Sequence, residues 1–131
     1  MLYKLRNKTV IVCGETLTVF EASNFMDVKR SMLMTEANQK WDGRKDLGIE
    51  EKSQRYLEAF LYPSVVACTE GNVPTLDDFV RNVPASESEA WIDDVRELNA
   101  RWFASVDLQT PEEQSAELEK KDESQTSSSP D

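Results

Sequence analysis

Residues 56–103 read YLEAFLYPSVVACTEGNVPTLDDFVRNVPASESEAWIDDVRELNARWF, and they hold seven of the eleven aromatic residues of the chain. No aromatic residue follows Phe103, and residues 104–131 carry eight acidic residues and two lysines. Large aromatic side chains supply much of the energy of a packed core. The sequence therefore predicts a folded domain over residues 1–106 and a flexible acidic tail over residues 107–131.

Length and charge limit the classes of protein to which the chain can belong. Its 131 residues suit one domain, and its net charge is −10. A chain this acidic repels the phosphate backbone of nucleic acids and anionic lipid surfaces, so we expect neither nucleic acid nor a membrane as a partner. No apolar run approaches the roughly 20 residues of a membrane span. We therefore expect a soluble, intracellular protein.

The residue types argue against an enzyme and against a bound cofactor. The chain has no histidine, which removes the commonest general base and the commonest neutral metal ligand. Its two cysteines, Cys13 and Cys68, are expected to be reduced and buried. Acidic pairs such as Asp77-Asp78 fall where acids complement the helix dipole. We expect no catalytic residues, no metal site and no cofactor, with a small carboxylate-based enzyme as the remaining catalytic alternative.

The first 22 residues favour β-structure. Residues 9–13 and 16–20 are rich in β-branched residues, and Gly14-Glu15 between them is a turn candidate. This pattern predicts a β-hairpin over residues 8–20. An isolated hairpin is marginal in water, so it should pack against the helices that follow.

Apolar residues at three- and four-residue spacing predict four helices after the hairpin. Their ranges are about 24–41, 49–70, 75–82 and 86–103. Ser23 or Asn24 should cap the first, and Thr75 and Ser86 the last two. Pro63 should kink the second, because proline removes a backbone hydrogen bond and clashes with the carbonyl four residues back. The predicted fold class is thus α+β, mainly α with a small N-terminal β-hairpin.

The first and last helices carry the clearest apolar patterns. In the last helix, one stripe falls at i, i+4, i+7 and i+11, formed by Trp91, Val95, Leu98 and Trp102. This stripe is typical of a buried face. In the first helix, two apolar series follow helical spacing, namely Phe25, Val28 and Met32, and then Leu33, Ala37 and Trp41. Trp41 stands beside a charged loop, so we expect it to be partly exposed.

Residues 56–103 also contain short motifs in a fixed order. A helix with Leu61-Tyr62-Pro63 comes first, followed by a helix start with Pro74-Thr75-Leu76-Asp77-Asp78-Phe79. Trp91 and the ending Asn99-Ala100-Arg101-Trp102-Phe103 come last. In this order of parts, the chain resembles the tail assembly chaperones of long-tailed, siphovirus-type bacteriophages and prophages. The resemblance rests on structural motifs, not on catalytic ones.

The resemblance implies a non-catalytic factor of virion morphogenesis. Such a protein binds and solubilises the tape measure protein and helps to recruit the major tail protein, which is the tail tube subunit. It acts in the host cytoplasm and is absent from the mature virion. Many members are also made in a longer form by programmed ribosomal frameshifting, and Lys120-Lys121 suits an A-rich slippery run. Self-association is a further expectation.

Four aromatic residues are the predicted partner-binding residues: Trp41, Tyr62, Trp102 and Phe103. The alternative function is that of an acidic bacterial adaptor or regulatory interaction module unrelated to phage. The position of the gene separates the two functions, because a tail assembly chaperone gene should lie between a tail tube gene and a very long open reading frame.

Overall fold

A computed structural model describes residues 3–104 of the chain, and the predicted tail over 107–131 lies outside these residues. The fold is mainly helical α+β, as predicted. Strands β1 (Asn7–Val12), β2 (Glu15–Phe20) and β3 (Thr69–Glu70) form an antiparallel sheet in the order β1-β2-β3. The helices are α1 (Asn24–Gln39), α2 (Ile49–Tyr56), α3 (Tyr62–Ala67), α4 (Leu76–Arg81) and α5 (Ala85–Leu98).

The hairpin of β1 and β2 forms one wall of the core. Alternate residues of the two strands are buried, and the register places Val10 opposite Leu17. The turn falls at Cys13-Gly14, one residue before the predicted pair, and both residues have positive φ, at 50° and 80°. Two successive positive φ values match the twist of the flanking strands in a two-residue hairpin loop.

The two cysteines differ in their surroundings. Both are free thiols, as predicted. Cys68 is fully buried, and burial raises the pKa of its thiol to about 12. The expectation that Cys13 is buried is wrong, because the turn places this residue at the exposed tip of the hairpin. There, its backbone N–H donates to Glu87 Oε1 at 2.8 Å.

The second predicted helix is interrupted just before Pro63. Residues Leu57–Leu61 form a π-helical turn, in which the Tyr62 N–H bonds to the Leu57 carbonyl five residues back. Pro63 follows in the first turn of α3, where a missing N–H costs little. A π turn and a proline are both established causes of a helix kink. Because the π turn covers Leu57–Leu61, the interruption predicted at Pro63 begins before the proline.

The chain after α3 forms a strand where helix was predicted as far as residue 70. Thr69 pairs with Val19 and Glu70 with Thr18, so β3 extends the hairpin to three strands. Gly71 then leaves the sheet at φ 125°, and a Cβ atom there would lie 2.8 Å from Leu17 Cδ2. A side chain at this position would strain the backbone and crowd Leu17, so the position favours glycine.

Helix α5 starts and ends earlier than predicted. Pro84, not Ser86, occupies the N-cap position, because the Ser88 N–H already bonds to the Pro84 carbonyl. The helix ends at Leu98, and a separate 3₁₀ turn covers Ala100–Trp102. The predicted buried stripe is confirmed in all four positions, from Trp91 to Trp102. α5, which carries the first three of these residues, packs against β1, β2 and α3, and Trp102 lies in the 3₁₀ turn.

Candidate partner-binding surface

The two apolar series of α1 lie on different sides of the helix. Leu33 and Ala37 are partly buried, on the side that packs against the π turn and α3. Phe25, Val28 and Met32 are 75%, 56% and 65% exposed. Residues at i, i+3 and i+7 form one line along a helix. We call Phe25, Val28 and Met32 the outer stripe.

The inner side of α1 carries a charged residue, Arg30. Its guanidinium lies 5.1 Å from the ring centre of Phe60 and 4.8 Å from that of Trp102, so it takes part in two cation–π contacts. Its Nε donates to Ser64 Oγ at 2.9 Å. Burial lowers the pKa of Arg30 to about 10, which leaves the side chain charged at neutral pH. Arg30 therefore ties α1 to the π turn, to α3 and to the 3₁₀ turn.

A second polar residue, Asn38, is buried near the end of α1. Its Nδ2 donates to the Met34 carbonyl at 3.0 Å, and its Oδ1 accepts from Arg55 Nε at 3.1 Å. Leaving such buried groups unpaired costs about 1–3 kcal/mol each. The bonds of Arg30 and Asn38 therefore fix the rotation of α1 about its axis. In this rotation, polar side chains point inward and the outer stripe points to solvent.

The start of α1 is fixed by a cap and by an acidic residue. Ser23 Oγ accepts the Met26 N–H, which confirms one of the two predicted caps. Asp27 accepts from Arg101 Nη2 at 2.6 Å and from Trp102 Nε1 at 2.7 Å. Burial favours the neutral form of Asp27, but these two hydrogen bonds outweigh it and hold the pKa below its usual range. The bonds of Ser23 and Asp27 therefore hold the first turn of α1, which carries Phe25, in place.

A shallow groove of about 340 Å³ runs beside α1, with apolar lining from Leu33, Ala37, Tyr62, Pro63 and Leu76. Glu36 also lines the groove and separates it from the outer stripe around the helix. The Tyr62 hydroxyl donates to the Pro74 carbonyl at 2.8 Å, and burial raises the pKa of this tyrosine. Of the predicted partner-binding residues, Tyr62 thus borders a surface groove, which Glu36 separates from the outer stripe.

The other three predicted partner-binding residues are buried. Trp102 and Phe103 are 5% and 0% exposed and belong to the core. The expectation that Trp41 is partly exposed is wrong: its ring is 3% exposed, because Lys40 and Arg44 lie over it at 5.0 and 4.7 Å. A binding role for all four aromatic residues stays a prediction. The fold brings none of these three to the outer stripe.

Sequence reasoning did not single out the outer stripe as a surface, although the signal was present. A helix that packs on one side needs one apolar series, and α1 carries two. The second series is the feature that marks an additional contact face.

Several acidic side chains of the described residues take part in caps and ion pairs. Glu51 accepts the Gly48 N–H and pairs with Arg44, and Glu58 pairs with Lys40. Across residues 3–104, no three Cys, Asp or Glu side chains are grouped so that they could hold a metal ion. In the same part of the chain, no helix has the length and apolar character that a bilayer crossing requires.

Neither protein-family models, nor curated proteins, nor solved structures gave a match to the chain. The function is therefore inferred from the outer stripe, the charge and the resemblance of residues 56–103.

Proposed function

We propose that the chain is a non-catalytic tail assembly chaperone of a long-tailed phage or prophage. It binds and solubilises the tape measure protein in the host cytoplasm and helps to recruit the tail tube subunit. The observation that carries this proposal is the outer stripe on α1, a helix face whose apolar residues point to solvent while Arg30 and Asn38 are turned inward. The tape measure protein is proposed as the partner because residues 56–103 resemble tail assembly chaperones.

The spacing of the outer stripe suits a helical partner. Apolar anchors at i, i+3 and i+7 are the pattern by which one amphipathic helix packs against another. The tape measure proteins bound by this family are long, hydrophobic and rich in helices, so they offer many such faces. Full burial of a large apolar side chain contributes about 1.5–3 kcal/mol, and much of this is offset by the costs of association. Each contact is therefore weak, and several copies along one partner are needed.

The charge of the chain supports a solubilising role. Its net charge is −10, and residues 49–103 alone carry eleven acidic and five basic residues. A copy bound through the outer stripe covers apolar surface of the partner and adds negative charge to the complex. Added acidic residues raise solubility more effectively than added basic ones. Weak contacts also allow the chaperone to leave the assembled tail.

Replacement of the outer stripe by polar residues should abolish this activity. Phe25→Gln, Val28→Gln and Met32→Gln together remove the apolar anchors but leave the inner contacts of α1 intact. In co-expression with the tape measure protein, the natural chain should keep that protein in the soluble fraction and co-purify with it. The triple variant should recover at least about tenfold less complex, which corresponds to about 1.4 kcal/mol.

A double variant, Ile11→Gln and Ile49→Gln, is the matched control, because these apolar residues are 63% and 62% exposed but lie outside α1. It should capture the tape measure protein as the natural chain does. Equal capture by the triple variant would remove the outer stripe from the proposal. A natural chain that neither solubilises nor binds the tape measure protein would overturn the proposed function.

An acidic bacterial adaptor is the second candidate function, since the outer stripe would serve any helical partner of suitable shape. The gene neighbourhood decides between the candidates. A gene placed between a tail tube gene and a very long open reading frame supports the chaperone, and one placed among unrelated cellular genes supports the adaptor.

A further inference from the structure

We infer that the free edge of strand β1 binds an extended segment of a partner protein that carries basic residues on one face. The bound segment adds a fourth strand to the sheet. This inference goes beyond the proposed function and does not rest on it, because it concerns a different surface and a different class of ligand. None of the residues involved belongs to the outer stripe.

Strand β1 is an edge of the sheet, because the order β1-β2-β3 gives it one neighbour. In an antiparallel pair, alternate residues direct both backbone groups to the neighbouring strand. The Glu21 N–H donates to the Arg6 carbonyl at 2.8 Å, which continues the register of β1 and β2 by one residue. The even-numbered residues of β1 therefore bond to β2. Asn7, Thr9 and Ile11 direct their backbone groups away from it.

These outward backbone groups are unpaired within residues 3–104. The three residues that carry them are exposed, Ile11 to 63%. Only the ends of the row are occupied: the Leu5 carbonyl accepts from Asn7 Nδ2, and the Cys13 N–H donates to Glu87. Edge strands in natural proteins are commonly blunted by proline, a bulge or short length. With six residues, no proline and an unbroken register, β1 can still accept a further strand.

Helix α5 packs against β1 and carries acidic residues along it. A line at three- and four-residue spacing is formed by Glu87, Ala90, Asp94 and Glu97, which we call the acidic line. At the hairpin tip, Glu87 accepts the Cys13 N–H at 2.8 Å. Further along β1, the Lys8 ammonium lies 3.7 Å from Asp94 Oδ1 and also pairs with Glu97. Three carboxylates thus accompany one ammonium, and negative charge is in excess beside the edge.

The acidic line also sets the spacing of charges in the ligand. Along the helix, Asp94 and Glu97 stand about 10 and 15 Å from Glu87, at 1.5 Å per residue. In an added strand, residues i and i+4 share a face and stand about 13–14 Å apart. A basic residue at i can therefore meet Glu87 while one at i+4 meets the other two carboxylates. The residue at i+2 then lies near Ala90, whose small side chain suits an apolar neighbour.

Charge argues against two other occupants of the edge. In a two-fold antiparallel pair of β1 strands, the acidic lines of both copies would lie on the same face of the joined sheet and repel each other. Residues 105–131 carry eight acidic residues and two lysines, so the acidic line repels them as well. A basic segment gains both terms, since backbone hydrogen bonds give an added strand its affinity and alternate side chains give it selectivity.

Two isomeric peptides test the inference with the purified full-length chain. In the capped peptide Thr-Lys-Thr-Val-Thr-Lys-Thr, the lysines and the valine share one face of a strand. The isomer Lys-Thr-Thr-Val-Thr-Thr-Lys has the same composition and charge, but its lysines and its valine lie on opposite faces. Amide NMR titration at low salt should show that the first peptide binds with a dissociation constant of about 1 mM or below. The isomer should bind at least about tenfold more weakly.

Hydrogen exchange locates the bound peptide on the chain. Without peptide, the N–H groups of Thr9 and Ile11 should exchange fast, whereas that of Val10, which bonds to β2, should exchange slowly. The first peptide at ten times its dissociation constant should slow the exchange of Thr9 and Ile11 about tenfold and leave Val10 unchanged. Slow exchange at Thr9 and Ile11 in the free chain would show that the edge is already covered, and would overturn the inference.

Neutralisation of the acidic line tests the contribution of charge. Glu87→Gln with Asp94→Asn removes two charges and keeps side chains that can accept hydrogen bonds. This variant should bind the first peptide at least about tenfold more weakly. Glu89→Gln with Asp93→Asn is the matched control, because it makes the same changes at exposed residues on another side of α5. The control should bind the peptide as the natural chain does.

Replacement of Thr9 by proline tests the contribution of the backbone. The substitution removes one outward N–H, and proline is tolerated on edge strands because the bonds to the inner neighbour remain. Thr9→Pro should abolish peptide binding while the circular dichroism spectrum stays that of the natural chain. If this variant does not fold, the neutralised variant still decides the question, since its backbone is unchanged.

Equal binding of the two isomers, binding of neither, or unaltered binding by the neutralised variant would overturn the inference. A natural chain that forms a dimer in sedimentation velocity, which Thr9→Pro makes monomeric, would assign the edge to a second copy and overturn it too. All of these results concern β1 and α5, so they leave the proposed role of the outer stripe untouched.

Discussion

Replacement of Trp91 by alanine should lower the free energy of unfolding by about 3–5 kcal/mol, the range observed for large aromatic residues in cores. The Trp91 side chain is fully buried, and its ring lies 6.0 Å from that of Phe79 in an edge-to-face contact. Its Nε1 donates to Thr69 Oγ1 at 3.0 Å. The substitution therefore opens a cavity between α5, α4 and β3 and removes a buried hydrogen bond. Domains of this size are stable by about 5–15 kcal/mol, so the substitution should remove a large part of the free energy of unfolding.

Urea unfolding followed by circular dichroism measures this effect as a lower midpoint at an unchanged slope. Trp91→Phe is the matched control, because it keeps most of the buried volume and removes the bond to Thr69. It should cost clearly less than the alanine variant, by at least about 1 kcal/mol. A loss below about 1 kcal/mol in the alanine variant would contradict the position of Trp91 in the core.

Replacement of Asn99 by alanine should cost about 2–4 kcal/mol, because it leaves two backbone groups without their partner. Asn99 follows the last residue of α5 and is 5% exposed. Its Oδ1 accepts the Ala22 N–H at 2.7 Å, and its Nδ2 donates to the Phe20 carbonyl at 3.0 Å. One side chain thus joins the end of α5 to the end of β2 and to the residues that lead into α1.

The same unfolding experiment separates this role from a general effect of losing an asparagine. Asn72→Ala is the control, since Asn72 is exposed, and its cost should stay within about 0.5 kcal/mol. Equal stabilities for the two variants would show that the bridge from Asn99 contributes nothing. The bridge also gives a physical reason for the Asn99 to Phe103 ending, which the sequence presents only as a motif.

Elements with a repeating apolar pattern could be predicted from the sequence. The buried stripe was predicted because four large apolar residues recur at helical spacing, although the fourth, Trp102, lies in the 3₁₀ turn that follows α5. The caps at Ser23 and Thr75 follow local chemistry that neighbouring residues determine. Short elements could not be predicted in this way. β3 has two residues and exists because β2 offers a free edge, and the 3₁₀ turn after Asn99 depends on bonds to distant backbone groups.

The exposure of the outer stripe could be predicted only in part. The sequence shows two apolar series on α1 but not which of them faces the core. That choice depends on the partners of Arg30 and Asn38, which are Ser64, Trp102 and Arg55. These partners are distant in the sequence, so no local pattern indicates the rotation of the helix. Trp41 was predicted to be exposed because it stands beside a charged loop, whereas the cationic side chains of Lys40 and Arg44 in fact cover it.

The central claim is that the outer stripe is the surface that contacts the tape measure protein, and site-specific photo-crosslinking tests it most directly. A photoactivatable phenylalanine analogue replaces Met32 in one chain and Ile49, an exposed control position, in another. Each chain is irradiated in cells that co-express the tape measure protein, and the products are identified by mass. The account predicts crosslinks to the tape measure protein from position 32 and not from position 49. A complex that crosslinks from position 49 alone, or from neither position, would contradict it.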